Sequence, residues 1–187
     1  MYLTMVAKFS DFLSIRERTL QEILDQFVRV VLAPLEVRSA LYVQTNEANE
    51  YQIVDHSGIS AAAQAEIGLR YSLRDNTPTA DVIRHGEIIC LPNSLETFKQ
   101  YPILENYPEF VGNKTLIVVP VFSDGVPVAA IGLFSKLELE IISHFESFLT
   151  ALSSVFSLYY YKIIHASPIE SSDMKFTHPK ISLGESF

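Results

Sequence analysis

A single cysteine, Cys90, excludes an intramolecular disulfide framework and any metal site built from several cysteines. It sits in an apolar stretch and reads as a buried structural thiol. Basic residues are also scarce, with 14 Lys and Arg against 22 Asp and Glu, a formal net charge of -8 and a pI near 5.1. Phosphate contacts need clustered Lys and Arg, and no basic run occurs, so direct nucleic-acid binding by this segment is not expected. No stretch approaches the ~20 apolar residues of a membrane span. The first residues lack the charged region and apolar core of a secretory signal. A cytoplasmic protein without membrane contact is the expectation.

Catalytic signatures are missing as well. There is no G-x-S-x-G, no H-E-x-x-H and no glycine-rich phosphate loop. His56, His85, His144, His165 and His178 are scattered, and His85 next to Gly86 reads as a helix end facing its own dipole. Asp81 and Glu96 are separated by a helix and a strand, which leaves no paired-carboxylate site. No catalytic residue, no metal and no cofactor is expected, and the chain reads as a non-enzyme.

What is present is a folding pattern. Hydrophobic residues make up 48% and charged ones 19%, and 187 residues suit one domain with extensions. Ser14 and Glu17 have capping-box spacing ahead of Leu20, Ile23, Leu24, Phe27, Val28 and Val31, which recur at helical spacing until Pro34 stops the helix. A start at Ser10-Asp11 is the other option. Ala40 to Gln44 and Tyr51 to His56 form a strand pair, and Ser60 to Ile67 a two-turn helix. Leu69 to Leu73 is a short strand or an extended segment. Thr77 caps a helix from Pro78 to His85, with Gly86 as its left-handed exit. Glu87 to Leu91 is a strand. Pro92 to Gly112 is an irregular insert with a short helix after Ser94, rich in Phe98, Tyr101, Tyr107 and Phe110. Thr115 to Phe122 and Val126 to Phe134 make a hairpin around Asp124-Gly125, apolar enough to lie at the sheet centre.

A second capping box, Ser135 to Glu138, opens a helix to about Ala166 with Ile142, Phe145, Leu149, Leu152, Phe156, Tyr159 and Ile163 as its core stripe. It would extend about 45 Å at 1.5 Å per residue. Leu158, Tyr160, Tyr161 and Ile164 widen its apolar surface beyond one face. That surplus suggests a homodimer interface built from the terminal helices. From Ser167 the chain carries five serines and two prolines without periodicity, a linker composition. The expected layout is an N-terminal helix at 1–34, a domain at 35–166 that includes the long helix, and a tail at 167–187.

Residues Tyr42 to Lys162, about two thirds of the chain, resemble the GAF family. The match rests on the helix ending His85-Gly86, the strand after it, the insert, the triplet Val119-Pro120-Val121, the Asp124-Gly125 hairpin and the Gly132-Leu133 strand. The resemblance implies an α+β fold, GAF/PAS-like, with a central antiparallel sheet of five to six strands. Short helices and the insert would lie on one face, and long N- and C-terminal helices packed together on the other. It also places a small-molecule site beneath the insert, which points by position to Tyr71, Thr77, Asp81, Asn93, Phe98, Tyr101 and Thr115. The cyclic-nucleotide motif of phosphodiesterase GAF domains is incomplete, since Asn113-Lys114 is not followed by its remainder. No cysteine lies where a bilin would attach, and methionine sulfoxide reductases of this fold use more than one thiol. The function implied is a bacterial sensory or regulatory module that signals through its terminal helices to an output domain, a LuxR-type helix-turn-helix before others. The alternatives are a cyclic-nucleotide-sensing input of a diguanylate cyclase or similar enzyme, a GAF-fold enzyme, or a pure dimerisation module with a filled core.

Overall fold

Strand-forming runs of Val, Ile, Leu and Ala place six strands in one antiparallel sheet. They are β1 (Val37–Thr45), β2 (Glu50–Ser57), β3 (Arg70–Ser72), β4 (Ile89–Pro92), β5 (Thr115–Ser123) and β6 (Val126–Ser135), in the order β3-β2-β1-β6-β5-β4. The computed structural model describes residues 2–14, 19–46 and 48–166. Asp124 and Gly125, at φ 50° and 77°, form the tight link between β5 and β6, since both central positions of such a turn need positive φ. Seven consecutive residues from Thr115 to Val121 are buried, so β5 is covered on both faces.

Three helices cover one face: α1 (Tyr2–Ser14), α2 (Leu20–Leu35) and α8 (Glu146–Ala166). Phe9, Phe27, Phe156 and Tyr42 form the centre of that layer. Ring centroids lie at 5.4 Å for Phe9–Phe27, 5.8 Å for Phe27–Phe156 and 5.9 Å for Tyr42–Phe156. The N-terminal segment is two helices rather than one. Ser14 closes α1, its hydroxyl donating to the Asp11 carbonyl at 2.7 Å, and residues 15–18 lie outside the described residues. The capping box belongs to Thr19 and Glu22, where the Thr19 oxygen accepts from the Glu22 amide at 3.2 Å and Glu22 Oε2 accepts from the Thr19 amide at 2.9 Å. Pro34 lies inside the last turn of α2, and the exit is Glu36 at φ 48°. A proline that late removes one hydrogen bond and does not end the helix before it.

The second capping box is also corrected. Ser135 is still in β6 and fully buried, and its hydroxyl donates to the Leu35 carbonyl while accepting from the Leu137 amide at 3.0 Å. It seals the corner between α2 and the sheet. The chain then forms α7 (Leu139–Ile142), a 3-10 turn (Ser143–Phe145) and α8. The segment Leu139–Leu158 is long and apolar enough by composition to cross a membrane, which the sequence reading missed. Its Phe148, Leu149, Leu152 and Phe156 are instead buried in the helix-covered layer. Leu158 is 65% exposed. Tyr160 packs against the core beside Tyr42, which removes it from an outward patch. The side chains of Tyr161 and Ile164 lie outside the described residues.

The other face carries short elements: α3 (Ala61–Gln64), α4 (Pro78–His85), α5 (Leu95–Gln100), a 3-10 turn (Pro102–Asn106) and α6 (Pro108–Val111). Helix α3 is a single turn capped by Ser60, and the expected strand 87–91 is shifted to Ile89–Pro92. The α4 boundaries are as expected, with Thr77 accepting from the Ala80 amide and Gly86 at φ 71°. A Cβ on Gly86 would also lie 3.2 Å from the Phe122 ring and from Pro127. Both the backbone and the packing therefore require glycine there.

Candidate functional site

The short-element face encloses a cavity of about 80 Å³. Its floor is sheet: Leu41 and Val43 from β1, Leu116 and Val118 from β5, Gly132 and Phe134 from β6. Register explains this grouping, because Gly132 pairs with Leu41 on one side and Val118 on the other. Side chains directly opposite in an antiparallel pair share a face. Gly132 leaves the floor open where any side chain would rise into the gap, the nearest atoms to a Cβ there being Leu116 Cδ1 and Leu41 Cβ at 4.0 Å. Tyr51, Ile53 and Tyr71 form one wall, Thr77 to Thr79 the start of α4 above it, and Ile103, Leu104 and Tyr107 the roof.

Polar groups enter this apolar space at one side. The Tyr51 and Thr77 hydroxyls are 2.7 Å apart, and Thr77 also accepts from the Ala80 amide at 3.1 Å. Tyr71 donates to Glu66 Oε2 at 3.3 Å. Tyr107 is 9% exposed, and its buried hydroxyl has no hydrogen-bond partner among the described residues. A buried hydroxyl without a partner costs about 1–3 kcal/mol. Tyr51 stacks on Tyr71 at 5.3 Å and Tyr107 on Phe134 at 5.8 Å. Burial drives the Tyr107 hydroxyl upward, reinforced by the negative Glu66 and Glu109. Burial pushes Tyr51 up to about 12. Burial also raises the Glu66 carboxyl, against the lowering hydrogen bond from Tyr71. The tyrosines are therefore neutral hydrogen-bonding groups at ordinary pH.

Of the residues expected beneath the insert, Tyr71 and Thr77 line the cavity. The other five do not, and each has an internal partner that explains its place. Asp81 Oδ2 accepts from Tyr101 at 2.6 Å and pairs with Arg84, which fastens the insert to α4. Tyr101 is 2% exposed and committed to that contact. Asn93 donates to the carbonyls of Phe110 at 3.0 Å and Asn113 at 2.9 Å, holding the end of the insert closed. Phe98 meets Phe110 edge-on at 5.8 Å. Thr115 points to the helix side of the sheet, donating to the Leu137 carbonyl at 2.7 Å. Glu66, Tyr107, Phe134 and Gly132 were missed. The alternation Leu116-Val118 against Ile117-Val119 was the signal that assigns residues to faces, and it would have placed Gly132 on the cavity side.

A second concavity of about 580 Å³ lies on the helix side, between α7, α8 and the strands β4 and β5. Cys90 lines it, half-buried, its thiol pushed up to about 11 by burial and then by Glu146. A thiol held in its neutral form is a poor nucleophile at neutral pH. Among the described residues no cluster of His, Cys, Asp and Glu is grouped to hold a metal ion.

A six-stranded antiparallel sheet with terminal helices on one face and a roofed cavity on the other is the architecture of small sensory domains. The GAF domain model matches residues 17–158, and the chain belongs to that family. Solved structures agree in fold. The GAF domain of an Acinetobacter phosphoenolpyruvate-protein phosphotransferase is 15% identical at a TM-score of 0.59, with 84% of this chain and 93% of that one covered. The A. aeolicus nlh2 GAF domain in an inactive state is 15% identical at 0.61, covering 85% and 94%. The free methionine-R-sulfoxide reductase of Neisseria meningitidis in complex with its substrate is 13% identical at 0.64, covering 89% and 92%. No curated protein matches the sequence.

Proposed function

We propose that this GAF domain is a sensory module that binds a small molecule in the cavity between sheet and insert and passes the change to its terminal helices. A mainly apolar cavity between sheet and insert, with Tyr51, Glu66, Tyr71 and Thr77 in its lining, carries the reading. Polar groups that converge on apolar space are what give a pocket orientation and specificity. Ligand seated against Tyr107 would hold the 3-10 turn Pro102–Asn106 down on the sheet, and β5 transmits such a shift to α8. The Ser153 hydroxyl on α8 donates to the Pro120 carbonyl of β5 at 2.6 Å, and Ser157 accepts from the Phe122 amide at 2.9 Å. The output is a separate domain of the bacterial transcription-regulator type, with a LuxR-like helix-turn-helix first. Leu158 on α8 is available to a second copy of the chain, and the module acts in the cytoplasm.

Binding rather than catalysis is favoured by the position of Cys90. The sequence's one thiol faces the helix-side concavity, across the sheet from the cavity, so it cannot reach a molecule held there. The small volume also disfavours a cyclic nucleotide, since sites for such ligands run to roughly 300–1,000 Å³. The test is a thermal-shift screen of small metabolites on the wild type beside Gly132→Val, which fills the floor. At least one compound should raise the wild-type melting temperature and leave the filled variant unmoved. Equal shifts in both proteins would refute the cavity as the site.

A further inference from the structure

We propose that the cavity selects a small organic cation of the alkylammonium class. The inference rests on the cavity being a ligand site and concerns what chemistry that site accepts. Glu66 contributes the one ionised side chain of its lining, and no Lys or Arg lines it. Of the arginines that follow Glu66 in sequence, Arg74 is exposed and absent from the lining, and the other two have partners of their own. Arg70 lies 3.9 Å from Glu50, and Arg84 pairs with Asp81 and donates to the Leu73 carbonyl at 2.9 Å. An anion placed here would meet a carboxylate and no compensating cation, a costly arrangement in a largely apolar space.

Aromatic content points the same way. Tyr51, Tyr71, Tyr107 and Phe134 all line the cavity, and aromatic rings around a desolvated cation attract it through their quadrupoles. A purely apolar guest would leave the Glu66 carboxylate at the cavity without a counter-charge. A volume of about 80 Å³ is small, so the guest is a compact headgroup of a few heavy atoms. Trimethylammonium, with apolar methyls for Leu41, Val118 and Leu104 and a charge to face Glu66, is compact and has the right polarity.

The experiment is calorimetric titration of the full chain with trimethylammonium chloride, tert-butanol and pivalate, three probes with three methyls on one central atom and different charge, at matched ionic strength. The cation should bind at least about tenfold more tightly than the neutral alcohol, the advantage a desolvated cation gains from rings and a carboxylate. Pivalate should be the weakest. Glu66→Gln, which keeps an acceptor for Tyr71, should bring the cation down to the level of the alcohol and leave the alcohol unchanged. Tert-butanol or pivalate binding as tightly as the cation would overturn the inference while keeping the cavity as a ligand site. So would cation binding that survives Glu66→Gln. Absence of binding by all three probes also overturns the cation inference, and the Gly132→Val screen then decides independently whether the cavity binds anything.

Discussion

The two faces of one sheet are closed in different ways. On the helix side, α1, α2 and α8 press continuous stripes onto the strands, and Phe9, Phe27, Phe156 and Tyr42 interlock with ring centroids 5.4–5.9 Å apart in the closest pairs. Buried hydroxyls there are satisfied, as Ser135 and Ser153 show. On the insert side, four helices of at most eight residues and a 3-10 turn share the task, and their ends leave a gap over Gly132. Long helices present unbroken apolar surface, whereas short ones end in capping groups that must be paired or left facing a cavity. The difference teaches that one set of strands can be packed shut on one face and left with a cavity on the other.

Alkaline pH should damage both faces and gives the largest expected effect, because several shifts act together. Burial raises Cys90, Tyr42 and Tyr160 on the helix side and Tyr51, Tyr71, Tyr101 and Tyr107 on the insert side. Folded values above the unfolded ones mean that the stability is fully present below the ordinary Cys and Tyr values of 9.0 and 10.0. It is lost as pH rises through the folded values, about 11 for Cys90 and about 12 for Tyr51. Urea midpoints should hold steady at neutral pH and fall steeply above pH about 9–10, and a midpoint unchanged into strongly alkaline buffer would contradict this burial pattern.

Phe156→Ala tests the tighter face. Removing a fully buried ring from the cluster should cost about 3–5 kcal/mol in denaturant unfolding. A loss under about 1 kcal/mol, the scale of an exposed site, would mean that the helix side is no better packed than the insert side.

Two chemically identical changes then separate satisfied from unsatisfied hydroxyls within the insert. Tyr101→Phe removes a 2.6 Å bond to the Asp81 carboxylate and should cost about 1.5–3 kcal/mol. Tyr107→Phe removes a hydroxyl without a partner and should raise stability by up to about 1 kcal/mol in the absence of ligand. Equal losses from the two variants would show that Tyr107 is bonded after all. The smallest effect is Gly132→Ala, a gain of about 0.4–1 kcal/mol from reduced chain entropy at a strand position where the added carbon meets only ordinary contacts. A loss of stability from this change would indicate that the floor is less open than the 4.0 Å spacing implies.

Much of the architecture was legible from residue order. Thr77, Pro78 and Gly86 define α4 to the residue, since each satisfies a local requirement at a helix end. Asp124-Gly125 located the β5–β6 hairpin for the same reason. The capping boxes at Ser14 and Ser135 misled because the motif is short. Ser135 has the same spacing as a true cap, but its hydroxyl is used 100 residues back in the chain, at Leu35. The site was legible only in outline. Tyr71 and Thr77 follow from family position, whereas Asp81, Asn93 and Tyr101 look equally like ligand contacts until their partners are seen.

Residue order by itself determined the alternation of apolar faces along β5 and β6, the capped helix α4, the hairpin turn, the acidic balance and the GAF family. Those features depend on neighbours within a few positions or on composition. Tertiary structure alone decided which hydroxyls are paired and which are not, and therefore where the cavity lies. Tyr101 and Tyr107 are six positions apart in one insert, and nothing local distinguishes them. Asp81 lies within reach of the first and, among the described residues, no partner within reach of the second. Hydrogen bonds close over about 3 Å, so their partners are chosen by how distant segments pack and not by the spacing of residues along the chain.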